Sequence, residues 1–336
     1  MSTTDGSTLG AGVSRRTFLR DAAIVASGIA ATAVAGPAAA AQTTPMPKAV
    51  LGRTGAEVSR LGIGTAPFQR ANVTIDSIRE TLFRALDLGV NYIDTAPNYR
   101  TGDSISEEKM GPAIKEIRDK VFLVTKTEEA TYEGAWKDLR ESMRRMQTDH
   151  LDVVHLHNFG SEQRFGDLDM AFGDKGVLGA LREAKKQGVI RFIGATGHLY
   201  PSRFAKVMDT GEIDVLMNAV NFIVRHNYNF EEKVWGRAHK ENIGLVAMKV
   251  LGGAKGASGH HMPAEHYESA FRYALGLPGC SCAVIGLENV VELERAAKTV
   301  ATAQPLSETE FTKLASVGLE LSKTEPWPQV YGLPLT

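Results

Sequence analysis

Residues 61–67 read Leu61-Gly-Ile-Gly-Thr-Ala-Pro67. Two glycines one residue apart, following a short apolar run, invite comparison with the Gly-x-Gly-x-x-Gly turn that opens a doubly wound dinucleotide-binding sheet. That turn needs a third glycine for close packing of helix on strand, and Pro67 stands in its place. The run therefore reads as one strand of another α/β architecture. Working outward, strand-like runs fall at 61–65, 91–94, 121–126, 151–157, 191–196, 215–220, 244–250 and 282–286. Helical periodicity fills the gaps at 75–88, 106–117, 132–146, 177–187, 202–208, 230–242, 264–277 and 290–301. Strict alternation implies parallel strands joined by helical crossovers, and eight such units in about 250 residues fit a single-domain (β/α)8 barrel of the TIM type. The doubly wound sheet is the rival. Residues 48–60 carry turn formers at Gly52, Thr54 and Gly55 and predict a small hairpin under the barrel. The barrel is expected over 48–323, with 324–336 as a tail.

The chain has 336 residues, 43% hydrophobic and 23% charged, which excludes a wholly disordered or collagen-like polymer. A formal net charge of −1 gives no support to nucleic-acid binding. Two cysteines, Cys280 and Cys282, cannot alone hold a structural zinc or an iron–sulfur cluster. The N-terminus differs from the rest. Ser14-Arg-Arg-Thr-Phe-Leu-Arg20 precedes a short Ala/Gly-rich apolar run ending in four alanines before Gln42. This pattern describes a cleavable export signal over 1–41, and the paired Arg15 and Arg16 resemble the twin-arginine type. It predicts a cargo of the twin-arginine export machinery, located in the periplasm or outside the cell. The apolar run is short for a membrane span, so no stable span is expected after cleavage.

Three successive strands end in ionisable residues. Asp94, Lys126 and His157 are spaced 32 and 31 residues apart, and Tyr99 follows Asp94 in the next loop. Barrel enzymes carry their chemistry at the C-terminal ends of strands, so a carboxylate, an amine, an imidazole and a phenol are expected on one rim. Taken singly, each has a plain structural explanation as a turn former, a solvated lysine or a packed histidine. His155, two residues before His157, should share its barrel-facing side. A His155/His157 pair also leaves open a metal-dependent hydrolase.

The stretches Asn91-Tyr-Ile-Asp-Thr-Ala-Pro-Asn-Tyr99, Phe122-Leu-Val-Thr-Lys126 and Leu151-Asp-Val-Val-His-Leu-His157 resemble the aldo-keto reductase family. So do Gly62-Ile-Gly-Thr65, Gln187-Gly-Val-Ile-Arg-Phe-Ile-Gly194 and Val284-Ile-Gly286. The resemblance implies hydride transfer between NAD(H) or NADP(H) and a small carbonyl or alcohol substrate, with no metal. It implies Tyr99 as general acid, Lys126 as the cation that lowers the phenol's pKa, Asp94 as the group that holds Lys126, and His157 as a donor to the carbonyl oxygen.

The cofactor positions depart from the family pattern. A Ser-Asn pair is replaced by Thr196-Gly197, followed by His198. Asn218 stands near the family's amide-binding residue on the sixth strand. Met248 and Lys249 occupy the place of a stacking tyrosine. Gly252 and Gly253 suit close approach of a pyrophosphate. Gly286, Asn289, Glu288 and Glu292 follow the last strand, where carboxylates favour NAD(H), because they repel a 2′-phosphate and accept from a ribose hydroxyl. Phe159 and Trp327 are expected at the substrate; their loop and tail mix aromatic and charged residues, a mixture that fits a sugar-like ligand and equally fits surface loops. The thinned nicotinamide contacts keep a second alternative open, a cofactor-holding barrel with a sensor role and little turnover.

Overall fold

A computed structural model describes residues 44–160, 163–252 and 261–328. The expected export signal lies outside the described residues. Eight strands form a closed parallel barrel: β3 (Leu61–Gly64), β4 (Tyr92–Asp94), β7 (Phe122–Thr127), β8 (Leu151–Leu156), β9 (Ile190–Gly197), β10 (Val215–Ala219), β11 (Gly244–Met248) and β12 (Cys280–Gly286). The ring closes through β12 on β3, with Val284 opposite Gly62. This is the (β/α)8 barrel, and the doubly wound alternative is excluded.

The crossover helices start where side-chain caps allow. Thr74 and Ser77 form a reciprocal capping box before α1 (Ile75–Asp87), and Thr131 caps α3 (Tyr132–Met146). Between them α2 (Ser106–Ile117) returns the chain from β4 to β7. Further crossovers run through α5 (Val177–Lys186), α6 (Ser202–Asp209) and α8 (Tyr267–Leu275). Asn289 caps α9 (Val290–Thr302), and a second box, Ser307 with Glu310, opens α10 (Glu308–Leu321). Each such cap satisfies first-turn amides that the helix leaves unpaired, worth about 1 kcal/mol.

Alternate residues of each strand point inward. Tyr92, Val124, Val153, Met217, Val246 and Val284 meet in the barrel core. The hairpin of β1 (Lys48–Val50) and β2 (Glu57–Ser59) closes the opposite end from the strand C-termini, with Leu51 and Val58 fully buried in the same core cluster. Inside, the His155 ring lies against Gly194, where an added Cβ would sit 2.1 Å from Nδ1. Only glycine leaves room for that imidazole.

The region expected as a helix at 230–242 is a π-helical turn at Glu231–Trp235 continued by the short α7 (Gly236–Lys240). Two features had no counterpart in the periodicity: a hairpin of the two-residue strands β5 (Arg100–Thr101) and β6 (Ser104–Ile105), and the short α4 (Leu168–Phe172). Among the described residues no helix is long and apolar enough to cross a membrane.

Candidate active site

Parallel pairing brings the ends of β4, β7 and β8 side by side, and the polar strand ends converge. Lys126 Nζ donates to Asp94 Oδ1 at 2.7 Å and Oδ2 at 2.8 Å, and to the Thr95 carbonyl at 2.6 Å. It also reaches Tyr99 Oη at 3.3 Å. The ion pair is buried, with side-chain exposures of 1% for Lys126 and 5% for Asp94. The His157 ring stands edge-on to Tyr99, with centroids 6.2 Å apart. All four side chains line one cleft, together with Thr196, His198, Met248, Lys249, Gly286, Glu288 and Glu292.

Burial sets the electrostatics. It disfavours the charge on Lys126, but the Asp94 carboxylate and the Tyr99 oxygen outweigh it and hold the amine's pKa above its usual value. Burial also raises the Tyr99 phenol, and Lys126 offsets only part of that rise. Lys126 therefore acts on the phenol in the expected direction, lowering its pKa, while burial acts the other way and by more. After burial, the Asp94 charge adds a smaller upward push on the phenol. Burial holds His157 well below the usual imidazole range, reinforced by Lys126, Arg164 and Lys249. The His155 pKa falls for the same leading reason, and neither of its ring nitrogens has a hydrogen-bond partner among the described residues.

The remaining sequence-predicted residues separate into two groups. Thr196 faces the cleft, and its hydroxyl accepts from the Asn158 amide at 3.1 Å. Met248 and Lys249 line the cleft side by side. Lys249 takes a left-handed backbone, φ 57°, stabilised by bonds to its carbonyl from Asn221 Nδ2 at 2.9 Å and the Gly252 amide at 2.8 Å. Burial and Lys126 lower the pKa of its amine. Glu292 accepts from the Glu288 amide at 2.8 Å, and Asn289 Oδ1 accepts from the Glu292 amide at 3.0 Å. Glu288 pairs with Arg70 across the cleft mouth.

Asn218 and Gly197 lie elsewhere. They oppose each other in register on β10 and β9, out of step with the inward-facing Met217 and Thr196. Asn218 Oδ1 accepts from the Trp235 indole at 3.0 Å, so its amide holds the helix layer rather than facing the cleft. A Cβ on Gly197 would sit 2.6 Å from the Phe204 ring, which fills the space a larger residue would need. Phe159 is also a packing residue. It is fully buried, with ring centroids 5.8, 5.9 and 5.7 Å from Phe165, Phe172 and Phe204. Trp327, 3% exposed, covers Gly252, whose φ is 70°. Gly253 lies outside the described residues.

Glu128 escaped the sequence reading. It follows Lys126 by two residues, and its Oε1 accepts from Asn98 Nδ2 at 2.6 Å and pairs with Arg164. The same oxygen lies 3.1 Å from His157 Nδ1. The available signal was its parity with Lys126, which places it just above the rim of Asp94, Lys126 and His157. The metal alternative finds no ligand set, since among the described residues no three His, Cys, Asp or Glu side chains are placed to hold an ion.

The model of the Aldo/keto reductase family matches residues 60–259. L-galactose dehydrogenase of Arabidopsis thaliana is 32% identical over 186 residues, 51% of this chain and 56% of that protein. Aldo-keto reductase YhdN of Bacillus subtilis is 37% identical over 119 residues, 31% of this chain and 35% of that protein. The chain thus spans about half the length of the curated relatives it matches. Among solved structures, an aldo-keto reductase from Pseudomonas aeruginosa superposes with a TM-score of 0.65 at 26% identity, covering 78% of this chain and 97% of that one. The holo form of an aldo-keto reductase from Bacillus halodurans shares the fold, with a TM-score of 0.66 at 21% identity over 84% of this chain and 99% of that one. With the barrel, the rim of Asp94, Tyr99, Lys126 and His157, and a family match over most of the barrel, the chain belongs to the aldo/keto reductase family.

Proposed function

We propose that the protein is an NAD(P)-dependent oxidoreductase that moves a hydride between nicotinamide and the carbonyl or alcohol carbon of a small substrate. One observation carries this: Tyr99 Oη lies 3.3 Å from a lysine that Asp94 grips in a buried pair, inside a cleft shared with His157. A nicotinamide held there would supply the hydride. The chain's residues manage the oxygen and its proton. Lys126 donates to Tyr99 Oη, so the phenol proton is free to face the cleft and serve as general acid. Asp94 keeps Lys126 charged and in place. Thr196, Met248, Lys249, Gly286 and Glu292 would hold the nucleotide. The fit is favourable because the Lys249 ammonium forms no ion pair among the described residues and suits an anionic group.

The preferred nucleotide is NAD(H). Glu292 faces the cleft, and the amides at the start of α9 already bond Asn289 and Glu292. A 2′-phosphate would meet like charge there, whereas a ribose hydroxyl would find an acceptor. The substrate is small and sugar-like. Support comes from a relative named L-galactose dehydrogenase and from others named methylglyoxal reductases. The enzyme is exported through the twin-arginine route, on the strength of Arg15, Arg16 and the alanine-rich run that follows.

The test is to purify protein exported by its own signal, denature it, and identify any released nucleotide by mass spectrometry. Bound NAD(H) is expected. No nucleotide, and none taken up on titration, would overturn the proposal. Tyr99→Phe should cost about 10²- to 10⁴-fold in turnover and keep nucleotide binding. A sensor barrel would be indifferent to that change.

A further inference from the structure

Glu128 joins three separate pieces of the cleft. Asn98, which donates to it at 2.6 Å, precedes Tyr99 on the loop after β4. Arg164, which pairs with it, lies on the loop after β8 and reaches the His157 carbonyl at 3.5 Å. Glu128 itself leaves the end of β7, two residues after Lys126. His157 Nδ1 is buried and has no aligned hydrogen-bond partner among the described residues, yet Glu128 Oε1 stands 3.1 Å away.

A carboxylate only accepts, so a lone pair on Nδ1 would face it repulsively while an N–H would bond to it. In a neutral imidazole, a proton on Nδ1 leaves the lone pair on Nε2. The groups that face His157 keep it neutral: Lys126 from β7, Arg164 from the following loop and Lys249 from the end of β11 are all cations, and His155 and Tyr99 add no negative charge. Glu128 is the only carboxylate in contact among the described residues.

We infer that Glu128 is a positioning residue that holds His157 as its Nδ1–H tautomer, so that Nε2 offers the cleft an acceptor and the resting site fits an alcohol better than a carbonyl. Tyr99, with Lys126 donating to its oxygen, offers a proton from the other side. A hydroxyl both donates and accepts, and it satisfies both groups at once. A carbonyl oxygen only accepts, and it satisfies Tyr99 alone until His157 takes up a proton. The inference rests on the oxidoreductase reading for its substrate, but the tautomer stands independently of it.

Nitrogen-15 NMR of histidine-labelled protein, with His157 assigned by difference from His157→Asn, reads the tautomer directly. The expected wild-type result is a protonated Nδ1 and an unprotonated Nε2 at neutral pH, with the preference lost in both Glu128→Gln and Glu128→Ala. An Nε2–H tautomer in the wild type, or the same Nδ1–H state in both variants, would overturn the inference. The kinetic arm uses glyceraldehyde as the carbonyl probe. Wild-type kcat/KM for reduction should fall about tenfold per pH unit between pH 6 and 8, following the protonated fraction of a ring titrating below that range. Glu128→Gln should flatten the slope, and Glu128→Asp should restore part of it. A slope unchanged in Glu128→Gln refutes the role assigned to Glu128. Expected NMR spectra in a protein that takes up no nucleotide would instead sink the proposed function and leave the tautomer assignment intact.

Discussion

Replacing Lys126 by methionine keeps most of the side-chain volume and removes one charge from a pair that is almost wholly out of water. Asp94 then loses its two bonds from Nζ, at 2.7 and 2.8 Å, and the cation that offsets its burial. Breaking one partner of a buried pair costs about 3–5 kcal/mol, because the remaining charge stays desolvated. Asp94 can escape by taking up a proton. From an ordinary carboxyl pKa near 3.9, that uptake costs about 4 kcal/mol at pH 7, at about 1.4 kcal/mol per unit. The two routes give the same scale, so Lys126→Met should destabilise the barrel by about 3–4 kcal/mol at pH 7. The sign of the pH dependence follows. The folded variant binds a proton that the unfolded chain releases, so the penalty grows with pH above about 4 and shrinks to about 1.5 kcal/mol at pH 5. Adding Asp94→Asn removes the orphaned charge and should return most of the loss. Urea unfolding of the single and double variants at pH 7 and pH 5 measures all four quantities. A single-variant cost under about 1 kcal/mol at pH 7, or a double variant worse than the single, would refute the view that Lys126 holds its buried neighbours together.

His155 and His157 are kept neutral by burial, so their folded pKa values lie below the unfolded value near 6.5. Their contribution to stability is complete above that value and is lost as pH falls below it, at up to about 1.4 kcal/mol per pH unit for each ring. Urea midpoints between pH 6.5 and 5 should show this slope, and His155→Leu should remove about half of it; an undiminished slope in that variant would contradict the assignment. Gly197→Asn puts a Cβ 2.6 Å from the Phe204 ring and should cost about 1–3 kcal/mol, relieved by Phe204→Leu. Because that position faces the helices, nucleotide affinity in the relieved double variant should stay at the wild-type value, and a tightened Kd would show that the introduced amide reaches the cleft after all.

Much of the fold was legible because its two periods are physically separate. A strand buried on both faces reads as an apolar run, and a crossover helix reads as an amphipathic stretch with a cap at its start. The runs at 151–157 and 244–250 and the helix at 106–117 were placed to within two residues on this basis. The π-helical turn at Glu231–Trp235 was not legible, since its register depends on how Glu231 bonds Tyr273 and how Trp235 bonds Asn218, both distant in sequence. The hairpin of β5 and β6 was missed because two-residue strands leave no alternation to detect.

The site was legible where strand parity decides it and illegible where side chains compete for the same space. Asp94, Lys126 and His157 share the inward parity of the core residues Tyr92, Val124 and Val153, so their convergence follows once the barrel is assigned. The same rule, applied to the sixth strand, places Asn218 outside: Val215 and Met217 point inward, and the residue after Met217 must point to the helices. Phe159 cannot be settled by parity, because it follows the end of β8, and its place depends on three other aromatic rings that close around it. Lys249 is the opposite case. Parity alone would send it outward beside the inward-facing Met248, but its left-handed backbone turns the chain at the strand end and leaves it lining the cleft. A non-glycine residue held at positive φ costs about 1 kcal/mol or more, and strain of that kind gathers at functional sites. The Asn221 and Gly252 bonds to the Lys249 carbonyl sustain that conformation. The barrel thus holds backbone strain at a strand end where regular alternation would have withheld a cation from the cleft.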